Sequence, residues 1–308
     1  MAVSLVKGFE RLTNTELIAL TQLAKTQAEN GQVCDRIPQL ALANPHWFAV
    51  HICCESGQTV SLGDTACIFP LMSVIKTFSL LYLLEHFGAG TVFQWVGVQP
   101  SDAPFNSLEQ LITDAGHPRN PMINSGAITL ADKLPGDASQ RTLLFCQWLN
   151  KLAGCQLTLD EVTLASVRAT RSKANQAIAN YLAETGHLQN PDIALDIYEQ
   201  ICCLSGRVED LAQLGKLLAC ENNLLSAQHR RIVNAVMLTY GLYEASAQYA
   251  VQIGLPMKSG IGGGLLAIVP GEGAIACYSP ALDNIGNPVG AIAFVAALSQ
   301  NLELSIFG

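Results

Sequence analysis

Past Lys76, the residues running to Gly88 are apolar on almost every side of a helical wheel. Pro70 just upstream and Gly88 at the far end mark a helix start and a helix stop. A helix that is apolar all round is buried by its neighbours rather than laid on a surface. Two polar residues stand at its beginning. Ser73 falls in the first turn, and Lys76 follows at i+3 on the same face.

Upstream, Thr13-Asn14-Thr15-Glu16 has the form of a capping box. Leu17, Ile18, Leu20, Leu23 and Ala24 give the helix behind it an apolar stripe, which stops near Asn30-Gly31. A short extended link follows at Arg36–Leu40. His46–Cys54 reads as a strand, Glu55-Ser56-Gly57 as a turn and Gln58–Leu62 as a second strand. From about Phe93 to Tyr240 the pattern is helical, with helices predicted over Asn124–Lys133, Gln140–Leu152, Asn175–Leu182, Ile193–Cys202, Val208–Leu218 and Ala227–Leu238. One long loop interrupts it, Val98–Pro121, which holds Pro100, Pro104, Pro118 and Pro121. Loops of that length are usually functional or disordered. After Tyr240 strands return at Leu255–Gly260, Leu265–Val269 and Ala274–Tyr278, punctuated by Gly262-Gly263-Gly264 and Gly271-Glu272-Gly273, before a last helix over Val289–Ser299.

This order predicts an α/β fold. One antiparallel sheet is built from both ends of the chain and flanked by helices, with a large helical domain inserted. The expected sheet domain is residues 1–72 with 240–308, and the helical domain is 73–239. A site is expected between them, where the Ser73 helix begins.

Composition narrows the function. Hydrophobic residues make up 50% of the chain and charged ones 14%, enough for a sizeable core. A net charge of -8 with no basic run argues against a nucleic-acid partner. No apolar run approaches a membrane span, and the N-terminus lacks a signal-peptide pattern. The ten cysteines include the adjacent pairs Cys53-Cys54 and Cys202-Cys203, but show no C-x-x-C or Cys/His metal spacing. They read as buried free thiols of a reducing, cytoplasmic compartment, with no metal site.

Ser73 and Lys76 then acquire a chemical meaning. Desolvation lowers a lysine pKa, and a neutral amine can take the proton of a nearby hydroxyl. Free backbone N–H groups in a first helical turn can hold an oxyanion. Ser-x-x-Lys alone is weak, since Ser4-Leu5-Val6-Lys7 repeats it near the N-terminus without a buried helix behind it. By themselves Ser73 and Lys76 read more readily as a helix cap and a snorkelling lysine. Lys258-Ser259-Gly260 changes the balance. A Ser-x-x-Lys helix with a Lys-Ser/Thr-Gly strand is the serine-acylation layout of β-lactamases and penicillin-binding proteins. The strand edge offers a second oxyanion donor, from Ile261.

The segment Gly116-His117-Pro118-Arg119-Asn120-Pro121-Met122-Ile123-Asn124-Ser125-Gly126-Ala127-Ile128 closely resembles the glutaminases of the β-lactamase-like fold. So do Val96–Ser101, Pro104–Ser107, Tyr243 ahead of Gly254–Gly260, and Pro280-Ala281-Leu282-Asp283 with Gly286-Asn287. The resemblance runs from about Gly31 to about Leu298. It implies hydrolysis of the L-glutamine side-chain amide to glutamate and ammonia, without cofactor, by a homodimer or homotetramer. By position it implies Ser73 as nucleophile, Lys76 as base, Tyr243 as a second proton-relay group and Ile261 at the oxyanion hole. Asn124, Asn175 and Tyr198 fall at positions that hold the substrate's backbone end. Read without the resemblance, Asn124 and Asn175 are helix caps and Tyr198 and Tyr243 are packed aromatics.

Two positions depart from the pattern. Arg168 stands seven residues before Asn175, where the family has a glutamate for the substrate's α-ammonium, and Arg36 stands where the family usually has a tyrosine. Arg168 is therefore expected to face the pocket and to oppose that ammonium. Glu161 would replace the missing carboxylate only through a shifted helix register. The departures leave open an amidohydrolase acting on a different, acidic amide, or a catalytically impaired binding or regulatory homologue.

Overall fold

In the computed structural model, residues 8–101 and 103–308 are described; the Ser4/Lys7 pair lies outside them. Helix α1 (Asn14–Ala28) precedes strands β1 (Ala49–Cys54), β2 (Thr59–Gly63) and the two-residue β3 (Phe69–Pro70). Then come α2 (Ile75–Trp95), α3 (Leu108–Thr113), α4 (Asn124–Asp132) and α5 (Arg141–Ala153). The short β4 (Thr158–Leu159) leads to α6 (Glu161–Ala169), α7 (Lys173–Glu184), α8 (Pro191–Cys202) and β5 (Leu204–Gly206). After α9 (Val208–Ala219), α10 (Ala227–Tyr240) and α11 (Ser246–Gln252) come β6 (Met257–Ser259), β7 (Gly264–Val269), β8 (Gly273–Tyr278) and α12 (Val289–Leu302).

The main sheet has the order β2-β1-β8-β7-β6, with every neighbouring pair antiparallel. Strands from both ends of the chain meet where β1 pairs with β8, His51 opposite Ala276. β1, β7 and β8 are buried along their whole length, because helices cover both faces. Side-chain alternation sorts their residues into two cores. Val50, Ile52, Leu265, Ala267 and Ile275 join Phe294 and Leu298 of α12 and Leu20 of α1. Ala49, Cys53, Leu266, Ile268 and Ala274 face Leu211 and Leu214 of α9. A second, small sheet, β3-β5-β4, ties the start of the Ser73 segment to the helical part.

The capping box of α1 is formed as expected: Glu16 N–H donates to Thr13 Oγ1 and Thr13 N–H to Glu16 Oε2. Its buried stripe is rotated from the expected one. Leu17, Leu20, Thr21, Ala24 and Ala28 face inward, while Ile18 and Leu23 are exposed. The small residues let α1 lie close on α12, where Gly290 approaches the Ala24 carbonyl. The expected stop at Gly88 appears as a break inside α2, where φ is 74° and ψ 159°. The long loop is not featureless. It contains α3, started by Ser107, whose Oγ accepts from Gln110 N–H at 3.1 Å. Helix α6, capped by Asp160, was likewise outside the expected elements.

α9 meets the sheet through a glycine. A Cβ on Gly215 would stand 2.6 Å from Leu266 Cδ1 and 2.7 Å from Ala274 Cβ. Gly215→Val is therefore expected to lower unfolding stability by about 1–3 kcal/mol through overpacking. Denaturant unfolding measures this, and an unchanged midpoint would mean that α9 does not press on the strands this tightly.

Candidate active site

β3 delivers the chain into a 3-10 turn, Met72–Val74, which runs on into α2. Ser73 thus sits in the turn before the helix. Met72 has φ 47°, left-handed backbone that a side-chain-bearing residue adopts only at a cost. Gly260, at the end of β6, closes on the same turn. A Cβ there would lie 2.6 Å from the Leu71 carbonyl oxygen and 3.2 Å from Ser73 N, so glycine is what lets the two backbones meet. This brings Ile261 to the Ser73 turn. Among the described residues, the Ile261 amide, outside any helix or strand, has no backbone partner, and the Ser73 N–H is a first-turn donor of the 3-10 segment, a position without an acceptor inside the helix. Two such N–H groups at one place suit a developing oxyanion.

Lys76 is fully buried one turn later. Its Nζ donates to Met122 O at 2.9 Å and to Asn124 Oδ1 at 2.7 Å. Burial pulls its pKa down to about 8. The two acceptors account for both hydrogens of the neutral amine and leave its lone pair free.

Asn124 joins the predicted residues to one another. Its Oδ1 also accepts from Tyr198 Oη at 3.2 Å, and its Nδ2 donates to Asn175 Oδ1 at 2.8 Å. Asn124 does not cap α4; Ile123 occupies the cap position and Asn124 begins the helix, its side chain turned to Lys76. The proline-bounded loop sets this position. Asn120 Oδ1 accepts from Met122 and Ile123 N–H, Arg119 forks onto Asp114 at 2.7 and 3.0 Å, and Asn124 N–H donates to Phe105 O at 2.8 Å.

Tyr243 also has a left-handed backbone, with φ 56°. Ser246 Oγ braces its turn, donating to Tyr243 O and accepting from Leu242 N–H. Burial pushes the phenol up to about 12; Ser73 and Ser259 lie near enough to oppose that shift but not in good hydrogen-bond geometry. The phenol therefore keeps its proton at neutral pH. Lys258 is also buried, with Nζ 4.5 Å from the Tyr243 ring centroid and 2.7 Å from the Ser259 carbonyl. Burial, then the charge of Lys76, holds its pKa well below the ordinary lysine range. Two buried amines near each other each disfavour the other's charged form.

A cavity of about 220 Å³ opens onto these groups. Ser73, Asn124, Asn175, Tyr198, Tyr243 and Ile261 all line it. Arg168 does not. In α6 and just beyond it, Val167 and Thr170 form the cavity face, while Arg168 and Arg171 present the adjacent face to α8. There Arg168 donates twice to Asp196, both bonds 2.8 Å, and stays exposed. The expectation that it would put a positive charge into the pocket is corrected: Asp196 holds it outside. Glu161, at the exposed start of α6, is outside the cavity too. Arg36 does line it. Sequence reading missed Glu199 and Cys202, which also line the cavity. The only hint at Glu199 was an acid at i+3 from Asp196, one residue after Tyr198.

An antiparallel sheet, a helical block and a Ser-x-x-Lys turn closed by a Lys-Ser-Gly strand make up the β-lactamase-like fold. The Glutaminase family profile matches residues 31–307, and the chain belongs to the glutaminase family. A glutaminase from Synechocystis sp. is 42% identical over 298 residues, covering 96% of this chain and 91% of that protein. A solved probable glutaminase, ybaS, superposes with a TM-score of 0.89 at 33% identity, covering 96% of this chain and 99% of the other. A probable glutaminase from Bacillus subtilis complexed with 6-diazo-5-oxo-L-norleucine gives a TM-score of 0.86 at 28% identity, with both chains covered fully.

Since Arg168 lies outside the cavity, Arg168→Ala is expected to change KM for L-glutamine less than about threefold, within the range of exposed ion pairs. Steady-state ammonia release measures it. A tenfold or larger change in KM would place Arg168 in substrate recognition after all.

Proposed function

We propose that this chain hydrolyses L-glutamine with Ser73 as nucleophile, Lys76 as its base and Tyr243 as the second proton carrier. Membership of the glutaminase family makes it a glutamine-hydrolysing enzyme. The observation that carries the residue roles is the pair of hydrogen bonds from Lys76 Nζ to Met122 O and Asn124 Oδ1, which leaves the amine's lone pair available one turn from Ser73.

In the reaction, Ser73 Oγ attacks the side-chain amide carbon while its proton passes to Lys76. The amide oxygen becomes an oxyanion between the Ser73 and Ile261 N–H groups. The C–N bond then breaks, and ammonia leaves with a proton delivered by Lys76 or relayed through Tyr243. The resulting γ-glutamyl ester of Ser73 is hydrolysed by water, which gives its proton to the same relay and releases glutamate. Asn124, Asn175 and Tyr198 hold the backbone end of the substrate. Residues 1–72 with 240–308 and residues 73–239 act as the two units between which the pocket lies. The enzyme works as a homodimer or homotetramer. The ten free cysteines support a reducing compartment, the cytoplasm.

Ser73→Ala is expected to lower kcat by roughly 10⁴-fold or more while leaving the thermal midpoint nearly unchanged. Activity close to that of the parent would remove Ser73 from the chemistry.

Lys76 sets the acid limb. Below about pH 8 its amine is increasingly protonated and has no lone pair to offer. Activity should therefore rise with pH through that value and fall on acidification. Lys76→Arg should be inactive across the range, because guanidinium stays protonated. An active Lys76→Arg enzyme with an unchanged acid limb would exclude the base role.

A further inference from the structure

We infer that Glu199 is the carboxylate that receives the α-ammonium of the substrate and sets the preference for an α-amino acid. This inference rests on the glutaminase reading above. Among the described residues, the charged ones lining the cavity are Arg36 and Glu199, one of each sign. That is the charge pattern needed at the α-carbon end of a zwitterionic amino acid. With the amide end of glutamine at Ser73, its ammonium needs an acceptor elsewhere in the same cavity, and Glu199 is the anionic one.

The surroundings of Glu199 suit this task. It is 4% exposed, on α8 directly after Tyr198, whose hydroxyl donates to Asn124. A buried carboxylate is costly unless it is paired. Arg171 supplies the pairing as a fork, with Nε 2.9 Å from Oε1 and Nη2 2.5 Å from Oε2. Arg171 is not among the cavity-lining residues, so the cation stands behind the carboxylate and fixes its orientation. An ionised carboxylate accepts at about four lone-pair positions. The fork leaves capacity for a further donor from the cavity.

Asp196 completes the device. One turn before Glu199 on α8, it takes Arg168 at 2.8 Å and Arg171 at 3.3 Å. Two guanidinium groups and two carboxylates thus balance, and of the four residues Glu199 alone lines the cavity. Burial raises the Glu199 pKa, and the Arg171 hydrogen bonds and charge oppose that rise. A second cation at the carboxylate, the substrate's own ammonium, favours the charged form further.

The test compares L-glutamine with 4-carbamoylbutanoate, which is glutamine without its α-amino group. Ammonia release gives kcat and KM for both in the parent, Glu199→Gln and Arg168→Ala. The parent is expected to prefer glutamine strongly in kcat/KM. Glu199→Gln should lose about ten- to hundredfold of that preference, mainly through KM for glutamine. Its turnover of 4-carbamoylbutanoate should stay near the parent's, which shows that the fold and the Ser73 chemistry are intact. Arg168→Ala should keep the preference. An unchanged preference in Glu199→Gln overturns the inference, and so does an equal loss on both substrates, which would make Glu199 a structural residue. The parent alone gives a second test, independent of any variant folding: an active parent that does not discriminate the two amides reads no α-ammonium. A parent that releases no ammonia from glutamine overturns the glutaminase reading itself, an outcome distinct from the others.

Discussion

An amine buried inside a protein has to be satisfied, and the structure around Lys76 is arranged to do so. Its two hydrogen bonds go to Met122 O and Asn124 Oδ1. Both acceptors lie where the proline-bounded loop enters α4, and the turn of Asn120 aims them. Gly126 makes the approach possible, since a Cβ there would fall 2.1 Å from the Asn120 carbonyl oxygen. Asn124 then carries the constraint outward to Asn175 on α7 and Tyr198 on α8. Four helices and a loop are fixed relative to one another by the need to solvate one nitrogen without water.

Charge around the pocket is divided with similar economy. Near Ser73 the cationic groups are desolvated, so Lys76 and Lys258 are both pushed toward neutrality. At the end of α6, just beyond it and on α8 the opposite arrangement holds, with two guanidinium groups paired to two carboxylates. An arginine at position 168 is tolerated beside the cavity because Asp196 is there to take it.

Much of this was legible in the chain. The buried α2, the Ser73/Lys76 spacing and the Lys258-Ser259-Gly260 strand follow from local patterns that the fold obeys, and so do the strands drawn from both chain ends. Where the reading failed, distant geometry decided. The direction of Arg168 depends on an acid on α8, 28 positions away, which no local pattern around α6 encodes. Glu199 looked like an ordinary helical acid, because nothing in its neighbourhood reveals that α8 places it on the cavity that Ser73 also lines. Ile18 and Leu23 counted as core residues by type, yet the close fit of α1 to α12 selected Thr21 and Ala28 instead. Helix α3 was hidden by the prolines on either side of it.

Two side-chain-bearing residues at this site, Met72 and Tyr243, hold left-handed backbone. Such conformations cost of order 1–3 kcal/mol each, and folding elsewhere has to supply it. Glycine at either position would relieve the strain in the folded chain while freeing the unfolded one. It would also loosen the turns that aim Ser73 and the Tyr243 phenol. Relief of backbone strain and a fixed cavity geometry therefore pull against each other at these two residues. A search for hardier variants would do best to work on the α1/α12 side of the sheet, where rigidity can be added without touching the turn that holds Ser73.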